Sequence, residues 1–261
     1  MLTIAHLTDT HFGNRPGVAD RNRRVAESVA RIAPDVVVVT GDVADHGRAE
    51  EYAEALDVYA DLPAPVLWGT GNHDVREPFA EAFFGLPTGE PLNAAYDVAG
   101  DVAGGVAGDV AGVRFLMLDS LVPAPPGERI DHGELAQPTL DWLDAELASS
   151  LLPTFVCWHH PPRPVGVPWM DSILLRDPDA LERVLAAHSH VVASLVGHVH
   201  MAVSTTFAGR PLLVGGGVSS TIPLEGEDLP RIWLDAPPTY AIHLLDVHDG
   251  NRVLTTHWRA L

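Results

Sequence analysis

Five times along the chain an apolar run of strand length ends in Asp, His or Asn, and that recurrence limits the fold more than any other feature. After "LTIAHLT" come Asp9, Thr10 and His11; after "PDVVVVT" come Gly41 and Asp42; after "APVLWGT" come Gly71, Asn72, His73 and Asp74. "LPTFVCW" leads into His159 and His160, and "HVVASLV" into Gly197, His198, Val199 and His200. Such side chains are poor material for a buried strand end unless something there binds them. In an open α/β sheet the ligand crevice lies outside the carboxyl ends of the strands, so five distant segments can converge on one site.

Between these runs the period changes from two to about 3.6. Val18, Val25, Val29 and Ile32 recur at helical spacing, and Pro34 closes that helix. "GRAEEYAEALDVYADL" predicts a second helix with Tyr52, Leu56 and Tyr59 on one face, and "LAQPTLDWLDAELASSL" a third showing Leu140, Leu143 and Leu147. "DPDALERVLAAH" predicts a fourth, with Asp177 as N-cap and Pro178 at its first position. The last third changes character: "VSTTFAG", "RPLLVGGG", "PTYAIHLLDV" and "NRVLTTHW" supply strands with few helices between them. An α/β first part followed by a β-rich second part predicts two packed sheets with helices outside.

The 261 residues, 46% hydrophobic, allow one large domain or two small ones; no long polar linker divides them, so a single unit over 1–261 is expected. The formal net charge of −19 disfavours a protein that grips long nucleic acid, because phosphate backbones need a basic stripe. A small phosphorylated ligand is still compatible if metal ions supply the positive charge. Cys157 is the only cysteine, which excludes an intrachain disulfide and fits a buried apolar role in a reducing compartment. With no basic n-region at "MLTIAHLTDTH" and no apolar run of membrane length, the expectation is a cytoplasmic protein with no membrane contact. Residues 97–112, "DVAGDVAGGVAGDVAG", form four tandem xVAG units, read as a Gly-rich hairpin or surface loop inserted before "VRFLML". A calcium reading of Asp97, Asp101 and Asp109 fits no calcium-loop spacing.

The five strand ends carry Asp, His and Asn but no thiolate, a donor set that suits Mn, Fe, Zn or Co rather than a structural zinc cage. Seven potential ligands are too many for one metal with an open position; they suit two metals that share a bridging carboxylate. Glycines before Asp42, Asn72 and His198 allow the sharp turns that aim such ligands inward.

The ordered set "DTH…GD…GNHD…HH…GHVH" resembles the calcineurin-like metallophosphoesterases. "HHPPRPVGVPWMD" and "PPTYAIHLL" resemble the subgroup of class III cyclic-nucleotide and glycerophosphodiester phosphodiesterases. The resemblance implies a four-layer α/β/β/α sandwich of two packed mixed sheets flanked by helices. It further implies one metal on Asp9, His11 and His200, a second on Asn72, His159 and His198, and Asp42 bridging the two. His160 is left as a supporting, substrate-facing or structural residue. His73 would reach the phosphate or the leaving oxygen, with Asp74 either orienting it or capping the helix that follows.

Two such metals would turn a bridging water into a nucleophile and clamp the phosphoryl oxygens, giving in-line attack by hydroxide without a covalent intermediate. His73 is the candidate to protonate the leaving oxygen. The resemblance favours small phosphodiesters, 3′,5′-cyclic nucleotides foremost; a glycerophosphodiesterase, a broad phosphomonoesterase or nuclease, and a non-catalytic scaffold of the same fold are the alternatives. Family members often pair, so a homodimer is an open expectation. Trp169, Met170 and Asp171 could line the pocket, form a subunit contact or belong to a surface loop. His6 is expected inside the core, and the histidines outside the motifs, among them His190 and His243, at the surface or in structural roles.

Overall fold

Val36 and Val38 pack between two sheets while Val37 and Val39 pack against helices, so β2 (Val36–Thr40) is buried along both faces. That is why the run "VVVV" shows no polar alternation. Phe155 and Cys157 against Val156 repeat the arrangement in β6 (Thr154–Cys157) on the opposite sheet. The computed structural model describes residues 1–99, 112–125, 127–248 and 251–261.

The first sheet contains β1 (Leu2–Leu7), β2, β3 (Val66–Gly69), β10 (Thr239–His248) and β11 (Asn251–Ala260), in the order β11-β10-β1-β2-β3. β1, β2 and β3 run parallel, and β10 and β11 extend the edge antiparallel. The second sheet contains β4 (Ala94–Ala99), β5 (Gly112–Met117), β6, β7 (Val191–Val196), β8 (Val203–Phe207) and β9 (Arg210–Val214), in the order β4-β5-β6-β7-β9-β8. Here β5, β6, β7 and β9 are parallel, with an antiparallel strand at each edge.

Helices α1 (Val18–Ile32), α2 (Ala49–Tyr59) and α3 (Arg76–Phe84) cover the outer face of the first sheet through Val25, Val29, Tyr52 and Phe79. Helices α4 (Gln137–Ser149) and α6 (Asp179–Ala187) cover the second through Leu140, Leu143, Leu147, Leu181 and Leu185; between them lies the single turn α5 (Pro168–Asp171). The result is the four-layer α/β/β/α sandwich. Its middle layer holds Ile4, Val36, Val38, Phe115, Phe155 and Leu195, with the Phe115 and Phe155 rings stacked at 5.3 Å. Each such fully buried side chain contributes about 1.5–3 kcal/mol by leaving water.

Three local expectations shift. On α2 the buried stripe is Tyr52, Ala55, Val58 and Tyr59, and Leu56 is 39% exposed, because the helix rolls one position toward the small Ala55. Asp177 does not cap α6: it lies at φ 49, and Pro178 occupies the cap position without a side-chain hydrogen bond. The repeat's ends belong to strands, since Ala94–Ala99 pairs antiparallel with Gly112–Met117, while its residues 100–111 lie outside the described residues. Asp97 is held by Arg114 at 2.7 Å, so its carboxylate is engaged on the sheet edge; Asp101 and Asp109 lie outside the described residues. Among the described residues no helix is long and apolar enough to cross a membrane.

Candidate metal centre

The five strand ends meet at one rim of the sandwich, where the loops are knitted backbone to backbone. Asp9 N donates to Gly41 O at 3.1 Å and His11 N to Asp42 O at 3.0 Å. Gly197 N donates to His159 O at 2.9 Å, and Val218 N and Ser219 N donate to Thr8 O and Asp9 O. Eight described residues other than glycine have positive φ, and five of them are Asp9, His11, Asp42, His198 and His200. That conformation is costly for a side chain with a Cβ and concentrates where function over-rides local preference. Gly41, at φ 96, and Gly71 are required for a second reason: a Cβ at Gly41 would collide with His159 Nδ1, and one at Gly71 with the Asp42 carboxylate.

Asp9, His11, Asp42 and His200 form one group that could hold a metal ion. His200 Nε2 lies 3.3 Å from Asp9 Oδ1, His11 Nε2 lies 3.5 Å from Asp42 Oδ2, and the two Nε2 atoms are 3.2 Å apart. His159, His160 and His198 form a second group, and Asp42 Oδ2 reaches it at 3.3 Å from His159 Nε2. Asp42 therefore touches histidines of both groups. Asn72 lines the same cleft, its Oδ1 buried and without a hydrogen-bond partner.

The residues fit a metal on two counts. First, each histidine proposed as a ligand has one ring nitrogen engaged and the other available: His11 Nδ1 by Asp45 Oδ1 (2.9 Å), His159 Nδ1 by Thr40 O (2.7 Å), His198 Nε2 by Ile173 O (3.0 Å) and His200 Nδ1 by Ser220 Oγ (2.8 Å). Tying one nitrogen in this way fixes ring orientation and leaves the other to face an ion once it carries no proton. Second, Asp9 Oδ1, Asn72 Oδ1, His159 Nε2 and His160 Nε2 are buried with no hydrogen-bond partner. Buried polar atoms are almost always satisfied, so four orphans at one rim of the sandwich fit the donor set of a cation.

The electrostatics agree. Burial works to raise Asp9, but His200 and His159 hold its carboxyl at about 2. Burial likewise opposes ionisation of Asp42, and His159, His73 and His11 keep it well below the usual carboxylate range. Burial disfavours a charged His159, yet the Asp42 and Asp9 carboxylates push it up to about 9. Burial and the neighbouring His159 pull His198 down to about 3 against the Asp42 and Asp9 charges, and burial also lowers His160.

His73 and Asp74 part company. The Asp74 carboxylate accepts backbone N–H groups of Val43 (3.2 Å), Ala44 (3.0 Å) and Gly71 (2.9 Å), so it ties the β2 and β3 loops together and does not orient the His73 ring. Nor does it cap α3, whose cap position is Val75. Burial and the nearby Asp42 charge push its carboxyl up to about 7. Asp45 takes the orienting place. Its backbone oxygen lies 2.9 Å from His73 Nδ1, and its carboxylate holds His11 and Asn14. Burial lowers His73 to about 4, which leaves its ring neutral near pH 7. Arg129 also approaches His73 Nδ1, at 2.9 Å, while donating through Nε to Asp131. The two contacts at Nδ1 demand opposite tautomers: the Asp45 carbonyl needs a hydrogen there, whereas the donor-only guanidinium needs a lone pair.

The calcineurin-like phosphoesterase family matches residues 2–202, across all five strand ends. The chain belongs to this family. Of the relatives it resembles, a Rhodococcus erythropolis protein named "Probable cyclic nucleotide phosphodiesterase" is 34% identical over 238 residues, covering 86% of this chain and 73% of the relative. The 3′,5′-cyclic adenosine monophosphate phosphodiesterase CpdA of Escherichia coli is 33% identical over 222 residues, covering 81% of this chain and 74% of CpdA. A dimetal phosphatase from Danio rerio has the same fold, with TM-score 0.70 and 18% identity over 99% of this chain and 96% of that one.

As a metal-dependent phosphoesterase the chain also carries site residues that motif reading missed. Asp45, Arg129, Asp131 and Ser220 all line the cleft, yet none follows an apolar strand, and only the spacing of Asp45 three residues after Asp42 offered a signal. Trp169 and Met170 line it too, whereas Asp171 accepts Val165 N and Gly166 N and holds the α5 turn. His160 is buried beside the centre, with Nδ1 at 2.8 Å from Ser120 Oγ. His6 is in the core as expected, bonded to Thr40 Oγ1 at 2.9 Å, and His243 is buried next to it.

Proposed function

We propose that this phosphoesterase is a cytoplasmic two-metal phosphodiesterase of small diesters, with 3′,5′-cyclic nucleotides as its foremost substrates. Asp9, His11 and His200 would hold one ion, Asn72, His159 and His198 the other, and Asp42 would serve both. The observation that carries this reading is the convergence of all seven side chains on one cleft whose orphaned atoms are Asp9 Oδ1, Asn72 Oδ1 and His159 Nε2, with His160 Nε2 beside them. When bound, the metals supply a water nucleophile active near neutral pH and positive charge for the phosphoryl oxygens.

The chain's own residues do the rest. Hydrolysis joins a water oxygen to phosphorus, breaks one P–O ester bond and leaves an alkoxide that needs a proton. His73 stands beside the centre, its ring edge-on to His11 at 4.5 Å, and its backbone N–H donates to Asp42 Oδ1 at 2.9 Å. In the tautomer that accepts from Arg129 at Nδ1, in place of donating to the Asp45 carbonyl, the ring hydrogen is on Nε2, where it can hydrogen-bond the departing oxygen. Asp45 and Ser220 hold His11 and His200 in register, and Asp74 keeps the Asp42 and Asn72 loops at fixed separation. Among the described residues that line the cleft, Arg129 is the one Arg or Lys, which favours a small diester over a polymer.

The test is hydrolysis of bis(4-nitrophenyl) phosphate by Mn²⁺-reconstituted protein, beside 4-nitrophenyl phosphate and an EDTA control. Chelator-sensitive turnover of the diester with a slow monoester is the expected result. Monoester preference would favour a phosphatase, and silence on both with metal bound would leave a scaffold.

A further inference from the structure

The cleft at the metal centre has a volume of about 270 Å³, and its lining includes Trp169, Met170, Ile173, Ile222, Ile232 and Leu234. A phosphate group needs none of these. Ile232 and Leu234 are 47% and 43% exposed, an unfavourable place for large apolar side chains unless a ligand covers them. The chain nevertheless fixes them there. Arg15 donates to Ser219 O at 3.3 Å and to Leu234 O and pairs with Asp235 at 3.4 Å, while Arg21 donates to Val218 O and Ala236 O. Thr221 and Trp233 exchange backbone hydrogen bonds of 3.1 and 2.7 Å across the same strap.

Trp169 is fixed by its own turn. Pro168 begins the α5 turn, Ser172 Oγ donates to Trp169 O at 2.7 Å, and Met170 anchors the turn in the core cluster. The Arg231 guanidinium lies 4.2 Å from the Trp169 ring centroid, so one face of the indole already carries a cation–π partner and a base would stack on the other face or displace it. Two polar side chains of the lining are engaged elsewhere, Ser220 Oγ with His200 and Asn14 Nδ2 with Asp45.

We infer that the cleft seats the planar base of a nucleotide diester against Trp169 and the Ile232–Leu234 strap, with Trp169 the residue that sets preference for base-bearing substrates. The inference rests on the phosphodiesterase reading above and names its substrate class more closely. Stacking and apolar contact carry no hydrogen-bond code, because every base has a π-face. Adenine and guanine are therefore accepted nearly alike.

The experiment compares wild type, W169A, W169F and I232S, all with Mn²⁺ bound, on 3′,5′-cyclic AMP, 3′,5′-cyclic GMP and bis(4-nitrophenyl) phosphate, with inorganic phosphate as a ring-free competitive inhibitor. Loss of one base-stacking platform lowers binding by about tenfold. W169A is thus expected to lower kcat/KM for both cyclic nucleotides by that factor, mainly through KM, and to leave the phosphate inhibition constant unchanged. W169F should restore most of the loss, and the exposed I232S should show a smaller change of the same kind. The inference is overturned if W169A weakens phosphate as much as nucleotides, if it changes neither, or if wild type prefers one purine by more than about a hundredfold. Absence of all diester turnover in metal-loaded wild type would instead overturn the parent reading.

Discussion

The first sheet brings oxygens to the centre and the second brings imidazoles. Asp9, Asp42 and Asn72 follow β1, β2 and β3, whereas His159, His198 and His200 follow β6 and β7; of the seven, His11 alone is an imidazole on the first side. Neither sheet carries a complete donor set. Burial opposes a charge on His159 and His200, but the carboxylates of the first sheet raise both, His159 to about 9, whereas burial lowers His198 to about 3. The comparison teaches that the site is a property of the sandwich: the apolar layer between the sheets sets the distance between oxygen and nitrogen donors.

Replacing the residue that faces both sides should do most damage. Asp42→Asn is expected to lower kcat/KM for bis(4-nitrophenyl) phosphate by on the order of 10³-fold. Plasma emission analysis should find fewer than two metals per chain in that variant. Full metal content with full activity would break the comparison. Next comes the support behind the first group. Asp45→Asn keeps the size of the side chain but weakens its hold on His11, and metal affinity should fall about 10–100-fold by titration calorimetry.

Proton linkage is expected to be smaller but diagnostic. His159 is held at about 9 rather than its ordinary 6.5, so near pH 7 it carries a proton that a metal must displace. Apparent affinity for the second ion should rise about tenfold per pH unit up to that value. In the metal-free chain the sign reverses: His159 stabilises the fold fully below about 6.5 and loses that contribution as pH rises through about 9. A calorimetric titration in buffers of different ionisation enthalpy would detect the released proton, and flat affinity over this window would count against the arrangement. The smallest effect belongs to Arg129→Ala, which frees His73 Nδ1 for the Asp45 carbonyl and shifts the ring hydrogen from Nε2. A several-fold fall in kcat with unchanged metal content is expected; an unchanged kcat would remove Arg129 from the site's chemistry.

The parts of the molecule that were legible in sequence share one physical origin. Strands buried on both faces, such as Val36–Thr40 and Val191–Val196, read as uninterrupted apolar runs, and the polar residue that ends each run stands out against them. The two packed sheets and the five polar strand ends followed from that contrast, whereas the choice of seven residues among them rested on the family resemblance. Asp45, Arg129 and Ser220 were not legible, because loops carry no period and their contacts to His11, His73 and His200 arise only once the strands are assembled. Asp74 shows the opposite failure. It sits in the most informative motif, yet its carboxylate is directed to the backbone of Val43, Ala44 and Gly71, a partnership between loops that adjacency to His73 concealed. Trp169 was noticed in sequence as a pocket candidate, but its partners Ile232 and Leu234 come from a strap far along the chain with no motif of its own.

The most direct test of a centre shared between two sheets is a stepwise Mn²⁺ titration of the chelated protein, with bound metal and diester hydrolysis measured in the same samples. The account predicts saturation at two ions per chain, with activity rising as the second binds, and loss of one of them in His198→Ala. Full activity at a single ion, unaffected by His198→Ala, would contradict it.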